Sequence, residues 1–446
     1  MNKKYVRICS GILVGTLVFS LLAVPGGTMG QEEDSLNHIY DILSGTVEES
    51  QTTEDYLENA RIAIRREQYE EALGYLDSAQ ETAGEDDREM LSKIELQRAS
   101  VYALQDDYDS ALEALGRAIE ADESNSGAFL LRSQISILKN DMESAAADLE
   151  TYMILVPDDV ANGISLAQLY EQMGQYDKAK EMYGTLYEKQ PENESLLLNE
   201  QRCSFMNGEY EEAKKNLDAY LQDHPDSDAE YRSVAAYLSA ACLMQQGKYE
   251  EAISGFRAAI DEGYETGDCY EQMMLCAHEN RDYDQVLTLA DEVTQGDITV
   301  PNPDQFWQRK GIALLMLERF EESAEALSES LELNEMLDGS YYYRGICYLS
   351  IEKLEEAVAD FTASIEDGSM VQLAYYNRGV AYVNLDEYDK AIEDLAAALE
   401  GEDEAIASSA KEVLWQLADY YENRRGNGET EAETEAETEA GTEAET

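Results

Sequence analysis

The chain has 446 residues, with 95 Asp and Glu against 32 Lys and Arg and a formal net charge of −63. Such acidity repels phosphate backbones and anionic lipid headgroups, which argues against nucleic acid and charged membrane surfaces as partners. Hydrophobic residues make up 44%, enough to bury a core, while 28 Gly and 6 Pro are too few for a loop-rich or all-β chain.

The first element is an export signal. Lys3, Lys4 and Arg7 precede an uncharged, mostly apolar run from Gly11 to Val24, and small residues from Pro25 to Gly30 lead into an acidic segment. Residues 1–30 are expected to be a signal peptide or a signal anchor. The run from Ile8 to Val24 is slightly short of the ~20 residues that span a bilayer. In both cases the positive end stays inside and the rest is exported, to a secreted or cell-surface location. Residues 31–52 are an acidic N-terminal segment with one short helix expected from Ser35 to Leu43.

From residue 53 the sequence repeats. An aromatic followed three residues later by a small residue occurs at Tyr69/Ala72, Tyr108/Ala111, Tyr176/Ala179, Tyr210/Ala213, Tyr249/Ala252 and Tyr388/Ala391. Met142/Ala145, Tyr283/Val286, Phe320/Ser323 and Leu354/Ala357 keep the register, and most steps are 34 residues. Pro157, Pro191 and Pro225 recur at the same period, where Pro stops a helix. In the run from Tyr249 to Phe256, positions 249, 252, 253 and 256 make one apolar stripe at helical spacing. A single helical hairpin cannot cover such a stripe, so neighbouring units must stack.

A period of 34 with this pattern resembles the tetratricopeptide repeat family. The clearest copies run from Tyr341-Tyr342-Tyr343-Arg344-Gly345 to Ile365 and from Tyr375-Tyr376-Asn377-Arg378-Gly379 to Leu399. The resemblance implies an all-α fold, a right-handed α-α superhelical solenoid of helical hairpins. Ten units are expected at about 53–86, 92–125, 126–159, 160–193, 194–227, 233–266, 267–300, 304–337, 338–371 and 372–405. With the anchor aromatic numbered 17, position 8 should be small for close helix contact. It holds Ala60, Ala99, Ser133, Ala167, Ala240, Gly311, Gly345 and Gly379, whereas Gln201 and Met274 depart and predict looser packing. Residues 406–425 are expected to be a capping helix in which Ile406, Val413, Leu414, Trp415 and Leu417 shield the last unit. The Glu-Thr-Glu-Ala tract at 426–446 has nothing apolar to bury and is expected to be disordered.

Catalytic chemistry is not expected, nor any metal or cofactor. Cys203, Cys242, Cys276 and Cys347 all fall at position 10, where Ala313 and Ala381 stand in other copies, so they are expected to be buried free thiols. His38, His224 and His278 do not cluster at zinc-ligand spacing. The Glu pairs at 70/71, 211/212, 250/251 and 321/322 are expected at the exposed starts of second helices, where they favour the helix dipole.

In the family, ligands bind the face lined by first helices at positions 2, 5, 9 and 12. Position 9 changes from largely polar (Arg61, Ser100, Gln134, Gln168, Arg202 and Ala241) to apolar (Leu275, Ile312, Ile346 and Val380). The resemblance thus implies a partner-binding strip of Ile312, Leu315, Tyr342, Ile346, Leu349, Tyr376, Val380 and Val383. The opposing expectation is that neighbouring helices already cover these side chains. A carboxylate clamp known in some family members is not matched: Asn377 is retained, but Tyr342, Ile346 and Ala407 replace required cations or amides, and only Lys411 keeps a charge. The expected function is an extracytoplasmic scaffold or adaptor for a protein or peptide. The alternatives are a holding chaperone for exported chains and a passive cell-surface spacer.

Overall fold

The computed structural model describes residues 51–422, and among them α-helix is the sole regular secondary structure, without a strand. The expected export signal, the helix expected from Ser35 to Leu43, Cys9, His38 and the Glu-Thr-Ala tract lie outside the described residues. The chain divides between Lys139 and Asn140 into two compact blocks.

The N-terminal block contains α1 (Thr53–Arg65), α2 (Tyr69–Thr82), α3 (Arg88–Leu104), α4 (Tyr108–Ala121) and α5 (Ser126–Leu138). The C-terminal block begins with α6 (Met142–Leu155), followed by α7 (Val160–Gln172), α8 (Tyr176–Lys189), α9 (Glu194–Met206) and α10 (Tyr210–Asp223). It continues with α11 (Ala229–Gln245), α12 (Tyr249–Asp261), α13 (Thr266–Glu279), α14 (Tyr283–Gln295), α15 (Pro303–Met316) and α16 (Phe320–Leu333). The last helices are α17 (Ser340–Ser350), α18 (Leu354–Glu366), α19 (Val371–Asn384), α20 (Tyr388–Leu399) and α21 (404–422).

Every anchor residue of the repeat is the first residue of a second helix, from Tyr69 in α2 to Tyr388 in α20. The small residue three positions on points inward: Ala72, Ala111, Ala145, Ala179, Ala213, Ala252, Val286, Ser323, Ala357 and Ala391 are each 0% exposed. The Glu pairs lie in the first turn of these helices and are exposed, next to unpaired backbone N–H groups that favour negative charge. Several other helices start from an Asp or Asn cap: the side chains of Asp87, Asp107, Asn125, Asp141, Asp159 and Asp282 accept the backbone N–H three residues on. α6, α8 and α10 each stop two residues before Pro157, Pro191 or Pro225.

The turn between first and second helix has a backbone requirement that recurs with the repeat. The residue two before each anchor is left-handed: Glu67, Asp106, Asn140, Gly174, Gly208, Gly247, Arg281, Glu318, Glu352 and Asp386 all have positive φ. In nine of these turns the next residue donates a backbone N–H to a carbonyl five residues earlier, as Lys353 does to Tyr348 at 2.9 Å. Glycine meets this geometry without a Cβ clash, yet only three of the ten turns use it.

The looser helix approach expected at Gln201 and Met274 is present, yet both side chains are 1% exposed. The helices of those two units approach less closely, and the larger side chains fill the space, with Gln201 Oε1 accepting from Asn216 at 3.0 Å. In α21, Leu417 is buried and Val413 and Leu414 pack on the core of the last unit, but Trp415 is 68% exposed and faces away. It does not shield the tenth unit.

Candidate functional site

Three first helices carry the strip expected from the sequence, and their inward faces follow one rule. Two residues seven apart are buried in each: Phe306 and Ala313 in α15, Ser340 and Cys347 in α17, Ala374 and Ala381 in α19. A second contact is made by glycine. A Cβ added at Gly311, Gly345 or Gly379 would lie 2.6 Å from Leu327, 2.8 Å from Phe361 or 2.9 Å from Leu395, on the second helix of the same unit. These approaches fix which face of each first helix is spent on packing.

All eight strip residues are half-buried. Leu315 packs on Ala324, Leu327 and Cys347, while Tyr342, Ile346 and Leu349 pack on Ala357, Phe361 and Ala374. Tyr376 and Val383 lean on Ala391, Leu395 and Ala398. Each side chain therefore shares its surface between the core and solvent, and neither expectation, fully open or fully covered, describes it. The Asn377 amide donates to the Tyr342 hydroxyl at 3.3 Å and to the Leu373 carbonyl at 3.0 Å, joining α17 and α19 along the strip. Burial pushes the Tyr342 phenol above its ordinary pKa, so it stays neutral.

Charge is segregated across these hairpins. α17 and α19 contain no Asp or Glu, in a chain with 95 of them, whereas α18 and α20 carry acids on their outer surfaces. The two cations of the first helices are spoken for. Arg344 holds Asp360 in a two-point contact and also donates to Ser328, and Arg378 treats Asp394 and Thr362 in the same way. Arg344 lies 5.6 and 5.7 Å from the rings of Tyr341 and Tyr348, and Arg378 lies 5.4 Å from Tyr375. These clusters were missed in the sequence. Their signal was available, since Arg, Asp and hydroxyl all recur at the 34-residue period.

At the other end of the strip, units seven and eight bury a polar group. Glu271 is 8% exposed and accepts two contacts from Asn302, at 2.8 and 3.0 Å, with Arg309 Nη1 3.9 Å away. Burial lowers the pKa of Arg309 and of His278. Burial raises Asp268, helped by Glu265 and Glu271. The buried thiols are pushed up too, Cys203, Cys269 and Cys276 to about 12 and Cys242 to about 11, which removes them as nucleophiles at neutral pH. Among the described residues no three His, Cys, Asp or Glu converge on a metal-sized site.

Models of the tetratricopeptide repeat match residues 96–160, 170–238 and 342–410. The chain is a tetratricopeptide repeat protein. The C-terminal part of a TPR repeat-containing protein from Cytophaga hutchinsonii is 15% identical, with 55% of this chain and 98% of that one covered, at a TM-score of 0.46. A tetratricopeptide repeat protein from Parabacteroides merdae is 16% identical over 58% of this chain and 98% of that one, at a TM-score of 0.37. The TPR2AB domain of yeast Sti1, in a complex with pHSP90, is 19% identical over 58% and 96%, at a TM-score of 0.26. No curated protein sequence matches. Tetratricopeptide repeat proteins serve as interaction scaffolds, typically without catalysis, and this one has the helix pairs, the small position-8 residues and the inward anchors of that architecture.

Proposed function

We propose that this tetratricopeptide repeat protein is an exported scaffold that holds a protein or peptide along α15, α17 and α19. The observation carrying the reading is the combination found on those helices. Ile312, Leu315, Tyr342, Ile346, Leu349, Tyr376, Val380 and Val383 keep part of their apolar surface in solvent, on a stretch where α17 and α19 bear no acid. Apolar surface left partly exposed in this way is stabilised when a ligand covers it, and a groove between helices suits an extended or helical segment. Export is supported by Lys3, Lys4, Arg7 and the apolar run that follows them. Among the described residues no helix is long and apolar enough to cross a membrane.

The test is a pull-down from the exported fraction with the chain lacking residues 1–30, comparing wild type with Ile346→Glu. A scaffold retains one stoichiometric partner that Ile346→Glu loses while its helical circular dichroism is unchanged. Suppressed aggregation of several unrelated unfolded proteins would instead favour a holding chaperone, and indifference to the substitution a passive spacer.

A further inference from the structure

The described residues end on a first helix, α21, with no second helix among them. α21 repeats the inward pair seven apart as Ala410 and Leu417, 0% and 6% exposed, packed with Ala391, Leu395 and Ala398 of α20. In α15, α17 and α19 the residue five after the earlier member of that pair is the glycine that admits the unit's own second helix. In α21 the same place holds Trp415, and it is 68% exposed. Ala418, three residues on, is exposed as well.

The preceding second helix is bare on the adjoining side. Ile392 and Leu399, seven apart on α20, are 38% and 41% exposed. Their counterparts on α16, Ala324 and Leu331, are each 5% exposed, and those on α18, Val358 and Ile365, are half-buried. Consecutive second helices flank the same first helix in this fold: Arg378 of α19 reaches Thr362 on α18 and Asp394 on α20. A helix beside α20 and against α21 would therefore cover Trp415, Ala418, Ile392 and Leu399 together. The exposed surfaces of α20 and α21 and the turn after α20 carry Glu393, Glu400, Glu412, Asp419 and Glu422, with Lys411 as the single cation on α21.

We propose that this eleventh place, open among the described residues, takes one amphipathic helix of a partner protein, with an aliphatic stripe toward Trp415, Ile392 and Leu399 and Lys or Arg toward the acidic rim. The charge decides the partner. A second copy would bring the same acids to the rim and a net charge of −63. Residues 423–446 contain eight Glu and no apolar side chain larger than Ala, so they offer nothing to the exposed tryptophan. Trp415 is too large to admit a second helix as closely as Gly345 or Gly379 does. The bound helix must ride outward on the indole, which makes that ring the anchor of the contact. The proposal is independent of the strip on α15, α17 and α19.

The chain has two tryptophans. In the full chain carrying Trp307→Phe, indole emission therefore reports Trp415. The probe is a synthetic helix of about 13 residues, the length of α18, with a Leu stripe and Lys elsewhere. One control has the same composition with the stripe scrambled, and a second has Glu in place of Lys. The expected result is a saturable blue shift at one basic helix per chain. Leu399→Glu, on an exposed position, should weaken it by roughly tenfold or more, and neither control should shift emission. No shift, or an equal shift with the scrambled peptide, overturns the proposal. It is also overturned by a shift that grows with protein concentration alone alongside a sedimenting dimer, which would make a second copy the occupant. A change in emission on ending the chain at residue 422 would assign the place to the tail and overturn it too.

Discussion

Arg344 grips Asp360 through Nε and Nη2 at 2.7 and 2.8 Å, and its remaining Nη1 reaches Ser328 on the second helix of the unit before. Thirty-four residues on, Arg378 repeats the arrangement with Asp394 at 2.7 and 2.8 Å and Thr362 at 2.8 Å. Each guanidinium thus ties together two second helices and the first helix between them. A planar fork with donors in fixed directions makes this contact, whereas the point charge of a lysine does not.

Burial works against the Asp360 carboxylate, raising its pKa even with Arg344 in place. Removing the guanidinium would leave a buried acid without a counter-charge. Arg344→Ala is expected to cost about 3–5 kcal/mol, and the paired change Arg344→Met with Asp360→Leu much less, since no charge is then stranded. Urea unfolding followed by circular dichroism checks both.

Glycine at position 8 has a steric cause that is open to test. Gly345→Ala places a Cβ 2.8 Å from the Phe361 ring, on which the ninth unit is packed, and should cost about 1–3 kcal/mol. Gly116 lies in α4 with nothing within 4 Å of an added Cβ. Gly116→Ala should instead stabilise by up to about 1 kcal/mol, through helix propensity alone. Thermal melts that rank the two the same way would contradict the packing account.

The left-handed turns offer the opposite substitution. Glu352 has φ 62° and its helix-start neighbours need that geometry. Glu352→Gly should stabilise by up to about 1 kcal/mol, because glycine adopts the conformation without the Cβ clash of an L side chain. A lower midpoint in urea would show that the Glu352 side chain contributes something the turn geometry does not.

These three cases mark what was legible in the sequence. The period and the anchors were, because an aromatic three before a small residue survives as the start of every second helix. Position 8 and the buried Cys at position 10 were legible for the same reason. The Arg344–Asp360 contact leaves only the 34-residue recurrence of Arg, Asp and a hydroxyl as its trace in the sequence, since its partners lie 16 residues apart on different helices and only folding brings them together. The turn residue two before each anchor escaped notice because Glu, Asp, Asn, Arg and Gly share no side-chain chemistry; what they share is a backbone angle. Trp415 was assigned to the wrong face because composition shows that a helix is apolar without fixing its rotation. The strip was legible as a list of residues, but its half-burial needed the packing of Phe361 and Leu395 beneath it.

A pH dependence should appear where the strip meets the polar group of units seven and eight. Burial holds the His278 imidazole below its ordinary value of 6.5, so the fold favours the neutral ring. The unfolded chain then binds the proton more readily, and stability is fully present above about pH 6.5 and lost as pH falls toward the folded-state value. His278→Gln should flatten the stability profile across that window, measured as urea midpoints at a series of pH values. An unchanged slope would place the acid sensitivity elsewhere.

The central claim is that the acid-free faces of α17 and α19 hold a partner. The most direct measurement replaces Ile346 with a photo-crosslinking amino acid in the full chain, and Glu355, exposed on α18, with the same residue as a reference. The account predicts one discrete crosslinked species from position 346, reproduced from position 380 and absent from position 355. Equal labelling from both faces, or none from 346 and 380, would contradict it.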